Sequence, residues 1–211
     1  MKEELNLEDF RKIINGINKT IQENKIFLSE LDSFIGDGDH GITLAKGFTK
    51  VMEDLKISDP SNISDLLQAT GKSLIATIGG VTGPIFGTLF TEMGKALDTG
   101  KQSVDISDLY NMFSKSLNKI MAIGGAKPGD KTMVDALYPA VESLKDSSEK
   151  KVPLKQSFED ISTAAKKGAE STKEMVALKG RARYLGERSI GYEDAGANTI
   201  YFIFEVFRKS F

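Results

Sequence analysis

Apolar residues recur along most of the chain at spacings of three and four positions. One such series is Phe10, Ile13, Ile14, Ile17 and Ile21. This is the period of an amphipathic α-helix that turns one face toward a core. The pattern predicts eight helices, over roughly residues 7–30, 41–57, 62–78, 84–97, 106–122, 132–147, 153–178 and 195–209. No strand is predicted, and the aromatic and β-branched run "ANTIYFIFEVFRKS" is interpreted as a buried helix because it is long and lacks partner strands.

The connections between these helices are of two kinds, and the two kinds alternate. The even connections, such as "KISDPSN" and "DTGKQSVDIS", are polar turns rich in helix-capping residues. The odd connections hold most of the glycines together with Asp, Thr, Lys and Arg: "DSFIGDGDHG", "GGVTGP", "GGAKPGDKT" and "KGRARYLGERSIGYEDAGA". If consecutive helices run antiparallel, all four odd connections lie at one end of the bundle. The sequence therefore predicts one functional end.

Length and composition favour a single domain over residues 1–211, with 40% hydrophobic and 27% charged residues. The formal net charge of -2 argues against a strongly basic surface for nucleic acid. The acidic start "MKEELNLEDF" does not resemble a signal peptide, and no apolar run is long enough to cross a membrane. We therefore expect a cytoplasmic protein. Because the chain has no cysteine, a metal must bind oxygen or imidazole.

The odd connections have the composition of phosphate-binding loops. Each precedes a helix N-terminus, where unpaired backbone N–H groups and the helix dipole favour an anion. Glycine lets the backbone approach a ligand, and "GGVTGP" adds the hydroxyl of Thr82. Any one such loop is explained better as a tight turn, but four at one end make coincidence less likely and favour a phosphate ligand.

Three aspartates of the first loop, Asp32, Asp37 and Asp39, are candidate ligands of magnesium, which a few carboxylates bind together with substrate phosphates. Helix capping explains Asp37 or Asp39 singly but not the three together. A calcium loop of the EF-hand type that began at Asp37 would place Gly41 and Phe48 at ligand positions, which excludes it.

Other familiar chemistries have no support in the sequence. The phosphate-loop motif, the dinucleotide fingerprint, the Gly-x-Ser-x-Gly elbow and the HExxH zinc helix are all absent. His40 is the only histidine, and taken alone it fits a capping or buried role as well as a functional one. Arg181 stands in the longest odd loop and is interpreted as a clamp over a ligand. The other loop charges, Lys131 among them, are expected to be solvated.

Four stretches together closely resemble the nucleotide-binding L subunit of dihydroxyacetone kinase: "IGDGDHG", "GGVTGPIFGTLF", "GGAKPGDKTMVDAL" and "GRARYLGERSIGYEDAGA". The resemblance runs nearly from end to end. It implies an all-α, single-domain, barrel-like bundle of eight antiparallel amphipathic helices, with the nucleotide and magnesium at one end. A related branch, the N-terminal domain of a fatty-acid kinase, is less similar because it has Asp-Thr-Gly where this chain has Asp39, His40 and Gly41.

The resemblance also assigns the site. It implies that Asp32, Asp37 and Asp39 bind two magnesium ions bridged to the phosphates, and that Arg181 has the catalytic role. It implies contacts to ADP or ATP from His40, Gly41, Thr43, Thr82, Gly83, Gly124, Thr132 or Met133, Arg181, Asp194, Ala195 and Gly196. The family often has Asn at the position of Thr43 and Pro at that of Ala195, so these two contacts depart from its pattern.

The implied activity is that of half an enzyme. In the related kinases the triose is bound covalently to a histidine of a separate K subunit or domain, and 211 residues hold no such second domain. The free-standing chain suggests that bound ADP is rephosphorylated in place by an M component of the phosphoenolpyruvate phosphotransferase system. The alternatives are an ATP-dependent kinase subunit for dihydroxyacetone or another short sugar, and a non-catalytic nucleotide-sensing adaptor. The sequence leaves open the acceptor, the donor and a homodimeric assembly.

Overall fold

Eight helices form a closed ring in which each packs against the next and the last packs against the first. The computed structural model describes residues 3–210. The helices are α1 (Leu7–Ile35), α2 (His40–Ser58), α3 (Ile63–Thr77), α4 (Thr82–Lys95), α5 (Ile106–Gly124), α6 (Val134–Lys150), α7 (Leu154–Ser171) and α8 (Ala195–Lys209). This confirms the all-α, eight-helix bundle that the sequence predicts. Among the residues described, no helix is long and apolar enough to cross a membrane.

Aromatic side chains fill the inside of the ring in the half away from the odd connections. Phe207 of α8 lies at their centre, with ring centroids 6.4 Å from Phe10, 5.8 Å from Phe113 and 5.4 Å from Phe158. These rings come from α1, α5 and α7, so one side chain joins helices from different parts of the ring. The far end, which holds the even connections, is therefore the packed end of the bundle.

The far end carries the only β-strands within residues 3–210. Two strands of two residues each, β1 (Leu5–Asn6) and β2 (Ser103–Val104), pair antiparallel just before α1 and α5 begin. The pair contradicts the prediction that the chain has no strand. Two residues are too short to show a period of two in the sequence. Leu5 and Val104 are fully buried, so the pair closes this end of the core.

The helices that begin at the far end are mostly capped by their own side chains. Asn6 and Asp105 form capping boxes for α1 and α5, and Asn62 caps α3. Such caps satisfy N–H groups that a helix leaves unpaired. Helices α2, α4 and α6 begin at the opposite end, and none of them has a side-chain cap from its own N-cap residue.

Helix α7 is shorter than the sequence predicts. It ends at Ser171, and a short 3₁₀ helix follows over Thr172–Glu174. The hydroxyl of Thr172 donates a hydrogen bond back to the carbonyl oxygen of Ala169, and its backbone carbonyl accepts one from the ammonium of Lys131. The contact with Lys131 exists only in the folded chain, so the sequence pattern could not report where α7 ends.

Gly71 allows α3 and α4 to approach closely. A Cβ atom at this position would lie 2.1 Å from Oγ1 of Thr91 and 2.4 Å from the carbonyl oxygen of Gly87. We expect Gly71→Ala to lower the free energy of unfolding by about 1–3 kcal/mol, because the overpacking outweighs the higher helix propensity of alanine. Urea unfolding measures this. Gly79→Ala is the control, since a Cβ there meets nothing within 4 Å and the expected change is within about 0.5 kcal/mol. Equal stabilities would contradict the packing argument.

Candidate functional site

A cavity of about 600 Å³ opens at the end of the ring where the four odd connections meet. This size suits a small-molecule ligand. The residues predicted for the site that line it are Asp32, Asp37, Asp39, His40, Thr43, Thr82, Gly124, Thr132, Met133, Arg181, Asp194, Ala195 and Gly196. Gly41 and Gly83 do not line it. The fold thus brings the four loops to one chamber, as the alternation of connections predicts.

The first loop gathers three carboxylates at one wall of the cavity. Asp32, Asp37 and Asp39 each offer an oxygen, and these oxygens lie within 4.8 Å of one another. Oδ2 of Asp32 accepts hydrogen bonds from the backbone N–H groups of Asp39 and His40, at 3.1 and 3.3 Å. Burial raises the pKa of the Asp32 carboxyl, and the charge of Asp37 raises it further. An oxygen-only, strongly negative cluster of this kind fits a divalent cation such as magnesium.

Arg181 provides the closest positive charge at this cluster. Its guanidinium forms an ion pair with Oδ2 of Asp37. The pair joins the fourth loop, which carries Arg181, to the first loop, which carries Asp37. The Arg181 side chain is 71% exposed, so the pair is solvated and its net contribution to stability is small. The guanidinium therefore partly neutralises the carboxylates without being held there by packing.

His40 is a neutral imidazole with an assignable tautomer. Burial lowers its pKa to about 4, although Asp39 and Asp37 act in the opposite direction. Its Nε2 lies 3.0 Å from Oγ1 of Thr199, and that hydroxyl donates its single proton to the carbonyl oxygen of Ala195. Nε2 must therefore carry the proton that it donates to Thr199, which leaves Nδ1 as an acceptor.

Gly41 and Gly83 lie behind the cavity wall at points where the backbone approaches other backbone closely. A Cβ atom at Gly41 would lie 2.0 Å from the carbonyl oxygen of Lys25, and one at Gly83 would lie 2.1 Å from that of Ile78. The N–H of Gly41 already donates to Oγ of Ser29. Packing therefore accounts for both glycines, and the predicted nucleotide contact of each stays a prediction.

The second loop leads into α4 with backbone groups that face the cavity. Gly79, Gly80, Val81 and Thr82 line the chamber, and α4 begins without a side-chain cap. The positive end of a helix dipole and open N–H groups at such a position favour an anion. The α2 N-terminus differs, because Asp32 and Ser29 of α1 accept from its first N–H groups.

The sequence pattern did not reveal the apolar wall of the cavity. Ile85 and Phe86 of α4, Ile120 of α5 and Val134 of α6 add apolar side chains to the lining, and the Phe86 ring centroid lies 5.9 Å from that of His40. In the sequence these residues belong to the ordinary helical pattern of core positions, so no signal distinguished them. The cavity therefore combines carboxylates with apolar side chains, which suits a ligand with a charged part and a flat apolar part.

The third loop is held by buried polar side chains. Asp135, 5% exposed, accepts from the backbone N–H groups of Gly129 and Thr132 at 2.5 and 2.8 Å. Lys131 is 2% exposed, which contradicts the expectation of a solvated charge. No sequence pattern signals this burial, because the partners of Lys131 lie more than 40 positions away.

The fourth loop ends at Asp194, which caps α8. Its Oδ2 accepts from the backbone N–H of Ala197 at 2.7 Å, and its own N–H donates to Oγ1 of Thr172 at 2.9 Å. Burial raises the pKa of Asp194 to about 7; the N–H of Ala197 and the charge of Lys131 oppose the rise. This carboxyl therefore exchanges its proton near neutral pH.

The fold and site define a class: an all-α domain whose ring of helices surrounds a cavity with a metal-type carboxylate cluster and anion-binding backbone at one end. The DAK2 domain matches residues 34–209, and the chain belongs to this family. It is 42% identical to the ADP-binding subunit DhaL of the PEP-dependent dihydroxyacetone kinase of Escherichia coli K12, over 85% of each chain. The ADP-binding subunit DhaL of the PTS-dependent kinase of Lactococcus lactis is 37% identical over 91% of each chain.

Solved structures of the dihydroxyacetone kinase of C. freundii share the fold. The native form superposes with a TM-score of 0.73 at 27% identity, and the complex with AMP-PNP and Mg2+ with a TM-score of 0.72. Each comparison covers 94% of this chain. The chain spans about a third of the length of that kinase, 34% in the native form.

Replacing Asp194 with asparagine tests its environment. Because the folded-state pKa lies above the unfolded value, the native carboxyl binds more protons between about pH 4 and 7, so its ionisation destabilises the fold as pH rises through 7. An asparagine at this position would still cap α8 but would carry no charge. We expect Asp194→Asn to gain stability relative to wild type from pH 5 to pH 8, by up to about 3 kcal/mol, in urea unfolding without nucleotide.

Asp105→Asn, at the N-cap of α5 in the far end, controls for the loss of a capping carboxylate. A difference between Asp194→Asn and wild type that stays constant from pH 5 to pH 8 would contradict the raised pKa.

Proposed function

We propose that this chain is the nucleotide-binding, phosphoryl-transfer subunit of a multisubunit dihydroxyacetone kinase. In this proposal it holds ADP or ATP with magnesium and passes the phosphoryl group to dihydroxyacetone on a separate K-type subunit. The observation that carries it is the meeting of three carboxylates, an uncapped helix N-terminus and Arg181 around one cavity. The high identity to DhaL ADP-binding subunits over nearly their whole length supports the same conclusion.

The acidic side of the cavity is proposed as the phosphate end. Magnesium, two ions on the sequence-based expectation, would be held by Asp32, Asp37 and Asp39 and would neutralise phosphate charge there. The open backbone of the second loop and the hydroxyl of Thr82 would donate hydrogen bonds to phosphate oxygens. Neutral His40 adds no positive charge that would compete with the metal, and its Nδ1 would be free to accept a hydrogen bond from a bound ligand.

The apolar lining is proposed as the adenine end. Ile85, Phe86, Ile120 and Met133 of the cavity lining offer apolar surface for the base. Gly124, Thr132 and Gly196 line the same chamber at the ends of neighbouring helices. With the base at the apolar lining, the phosphates would lie at the carboxylate wall. The terminal phosphate would then lie where a partner subunit can approach.

Arg181 is proposed as the catalytic cation. Phosphoryl transfer depends on positioning and on neutralising charge spread over the phosphate oxygens, which a guanidinium fork does well. In this structure Arg181 pairs with Asp37 instead. Binding of a metal ion at the carboxylates would compete with this pair and leave the guanidinium free to turn to phosphate.

The phosphate donor is proposed to be a phosphorylated M-type protein that recharges bound ADP. Three curated relatives that this chain matches over 85–91% of their length are named PEP-dependent or PTS-dependent, which supports this mode. Transfer from a phosphotransferase system would place the protein in the cytoplasm. Free ATP as donor and a nucleotide-sensing role without transfer are the competing outcomes.

A reconstituted assay tests the proposed function. We expect the purified chain with magnesium ATP and labelled dihydroxyacetone to form no phosphorylated triose, because the groups at its cavity handle phosphate and metal only. Product is expected when a K-type subunit is added together with a phosphorylated M-type protein. Native mass spectrometry of the same preparation should show retained ADP. Triose phosphate formed by the chain alone would refute the half-enzyme proposal, and nucleotide binding without transfer in the full mixture would favour the sensing role.

Manganese binding without nucleotide tests the carboxylates and Arg181 together, because the two substitutions should act in opposite directions. We expect Asp39→Asn to weaken Mn2+ binding at least about tenfold, since it removes one ligand. We expect Arg181→Ala to strengthen it roughly two- to fivefold, since it removes a competing cation from an exposed ion pair. Electron paramagnetic resonance of free Mn2+ gives both affinities.

Arg183→Ala is the matched control. It changes the net charge by the same amount two positions away, and its guanidinium contacts Tyr184 instead of the carboxylates. An equal gain in Arg183→Ala would show that net charge, and not the pair with Asp37, sets the affinity. With magnesium present, Arg181→Ala should also release ADP faster than wild type.

A further inference from the structure

Lys131 is a buried lysine whose ammonium is surrounded by backbone carbonyl groups. It is 2% exposed, and its backbone has a φ of 58°, a left-handed conformation that non-glycine residues seldom adopt. Its Nζ lies within hydrogen-bonding distance of four carbonyl oxygens, which share its three N–H donors: those of Thr172 at 2.7 Å, Met175 at 3.2 Å, Ser189 at 2.7 Å and Tyr192 at 2.5 Å. These partners occupy the ammonium, so this lysine is not available to a phosphate even though it borders the cavity.

All four carbonyl groups belong to the segment between α7 and α8, residues 172–193, which we call the arginine loop because its outer part carries Arg181. Two of them come from its first limb, residues 172–178, and two from its second limb, residues 186–192. The ammonium therefore joins the two limbs at the base of the loop. Arg181 lies between the limbs, and its own side chain is mostly exposed.

Other hydrogen bonds of the loop depend on the same closure. The N–H of Ala177 donates to Oγ of Ser189 at 2.9 Å, and the N–H of Gly191 donates to the carbonyl oxygen of Lys173 at 2.8 Å. Both bonds run between the limbs. The N–H of Leu178 also donates to the carbonyl oxygen of Asp130, which fastens the first limb to the third loop. Separation of the limbs would break the first two bonds at once.

Burial and nearby carboxylates act on the charge of Lys131 in opposite directions. Burial lowers its pKa, and the charges of Asp194, Glu174 and Glu193 oppose that change. Four carbonyl oxygens around one positive charge are also the kind of ligand set that proteins use for monovalent metal ions. Here the group among the carbonyl oxygens is the ammonium of the Lys131 side chain.

We infer that Lys131 is a positioning residue whose ammonium, held by four carbonyl groups, closes the base of the arginine loop and so fixes the place of Arg181 beside the carboxylates. The closure itself follows from the contacts of the structure. Its consequence for phosphoryl transfer rests on the proposed function. The loss of the ammonium is expected to loosen the loop and leave the helical ring intact.

Hydrogen exchange of the free protein tests the closure without any nucleotide. In Lys131→Met, which keeps the length of the side chain and removes its charge, amides of residues 177, 178 and 191 should exchange at least about tenfold faster. Amides inside α3 and α5 should keep their wild-type rates. Lys127→Met is the matched control, because Lys127 is an exposed lysine of the third loop, which also carries Lys131. Wild-type exchange in the arginine loop of Lys131→Met would overturn the inference.

Chemical rescue separates a positioning cation from a side chain that only fills space. Lys131→Ala removes the ammonium and its stem, so propylammonium in solution should restore slow exchange in the loop. Tetramethylammonium at the same ionic strength has no N–H donor and should not restore it. If Lys131→Ala does not fold unaided, recovery of its helical circular dichroism by propylammonium alone is the supporting result. Equal effects of propylammonium and tetramethylammonium on the exchange or on the circular dichroism would overturn the inference in either case.

Nucleotide binding distinguishes failure of this inference from failure of the proposed function. Where wild type binds ADP with magnesium, Lys131→Met should release it faster and Lys127→Met should not. A loss of ADP affinity in Lys131→Met with unchanged loop exchange would instead make Lys131 a phosphate ligand and overturn the inference. If wild type itself binds no ADP, the proposed function fails while the exchange and rescue results still decide the role of Lys131.

Discussion

The mutual repulsion of Asp32, Asp37 and Asp39 is the constraint on which the functional end depends. Their oxygens lie within 4.8 Å of one another, an arrangement that costs free energy wherever it is not neutralised. It is held by the rigid end of α1, by N–H groups of the first loop that donate to Asp32, and by the ion pair of Arg181 with Asp37. A divalent cation would remove this repulsion, so its binding would be favoured by the relief of that free energy.

The far end of the bundle holds the packing that stabilises the fold. Phe207 and the aromatic rings around it fill the ring of helices there, and the short strand pair covers them. The helices that start at this end are mostly capped by their own side chains, whereas α4 starts at the cavity without one. Stability and function are thus separated along the axis of the bundle, which is why one end can keep an open cavity.

Two cations balance the charge of the functional end, and they are held in opposite ways. Lys131 is buried among carbonyl groups and fixed, while Arg181 is exposed and paired only with Asp37. A fixed cation determines the path of a loop, and an exposed one can change partners when a ligand arrives. The arginine loop therefore has a fixed cation at its base and an exposed charged group in its outer part, an arrangement that suits an active-site clamp.

The sequence by itself determined the eight helices, the alternation of plain and chemical connections, and hence the single functional end, because helical period and loop composition are local properties. It also identified the three aspartates, and the cavity is lined by most of the residues that the family resemblance implies. Only the tertiary structure decided that Gly41 and Gly83 pack behind the wall, that Phe86 and other apolar side chains line the cavity, and that Lys131 is buried. Each of these depends on how separate segments meet in the folded chain, and no local pattern reports which backbone a side chain will meet there.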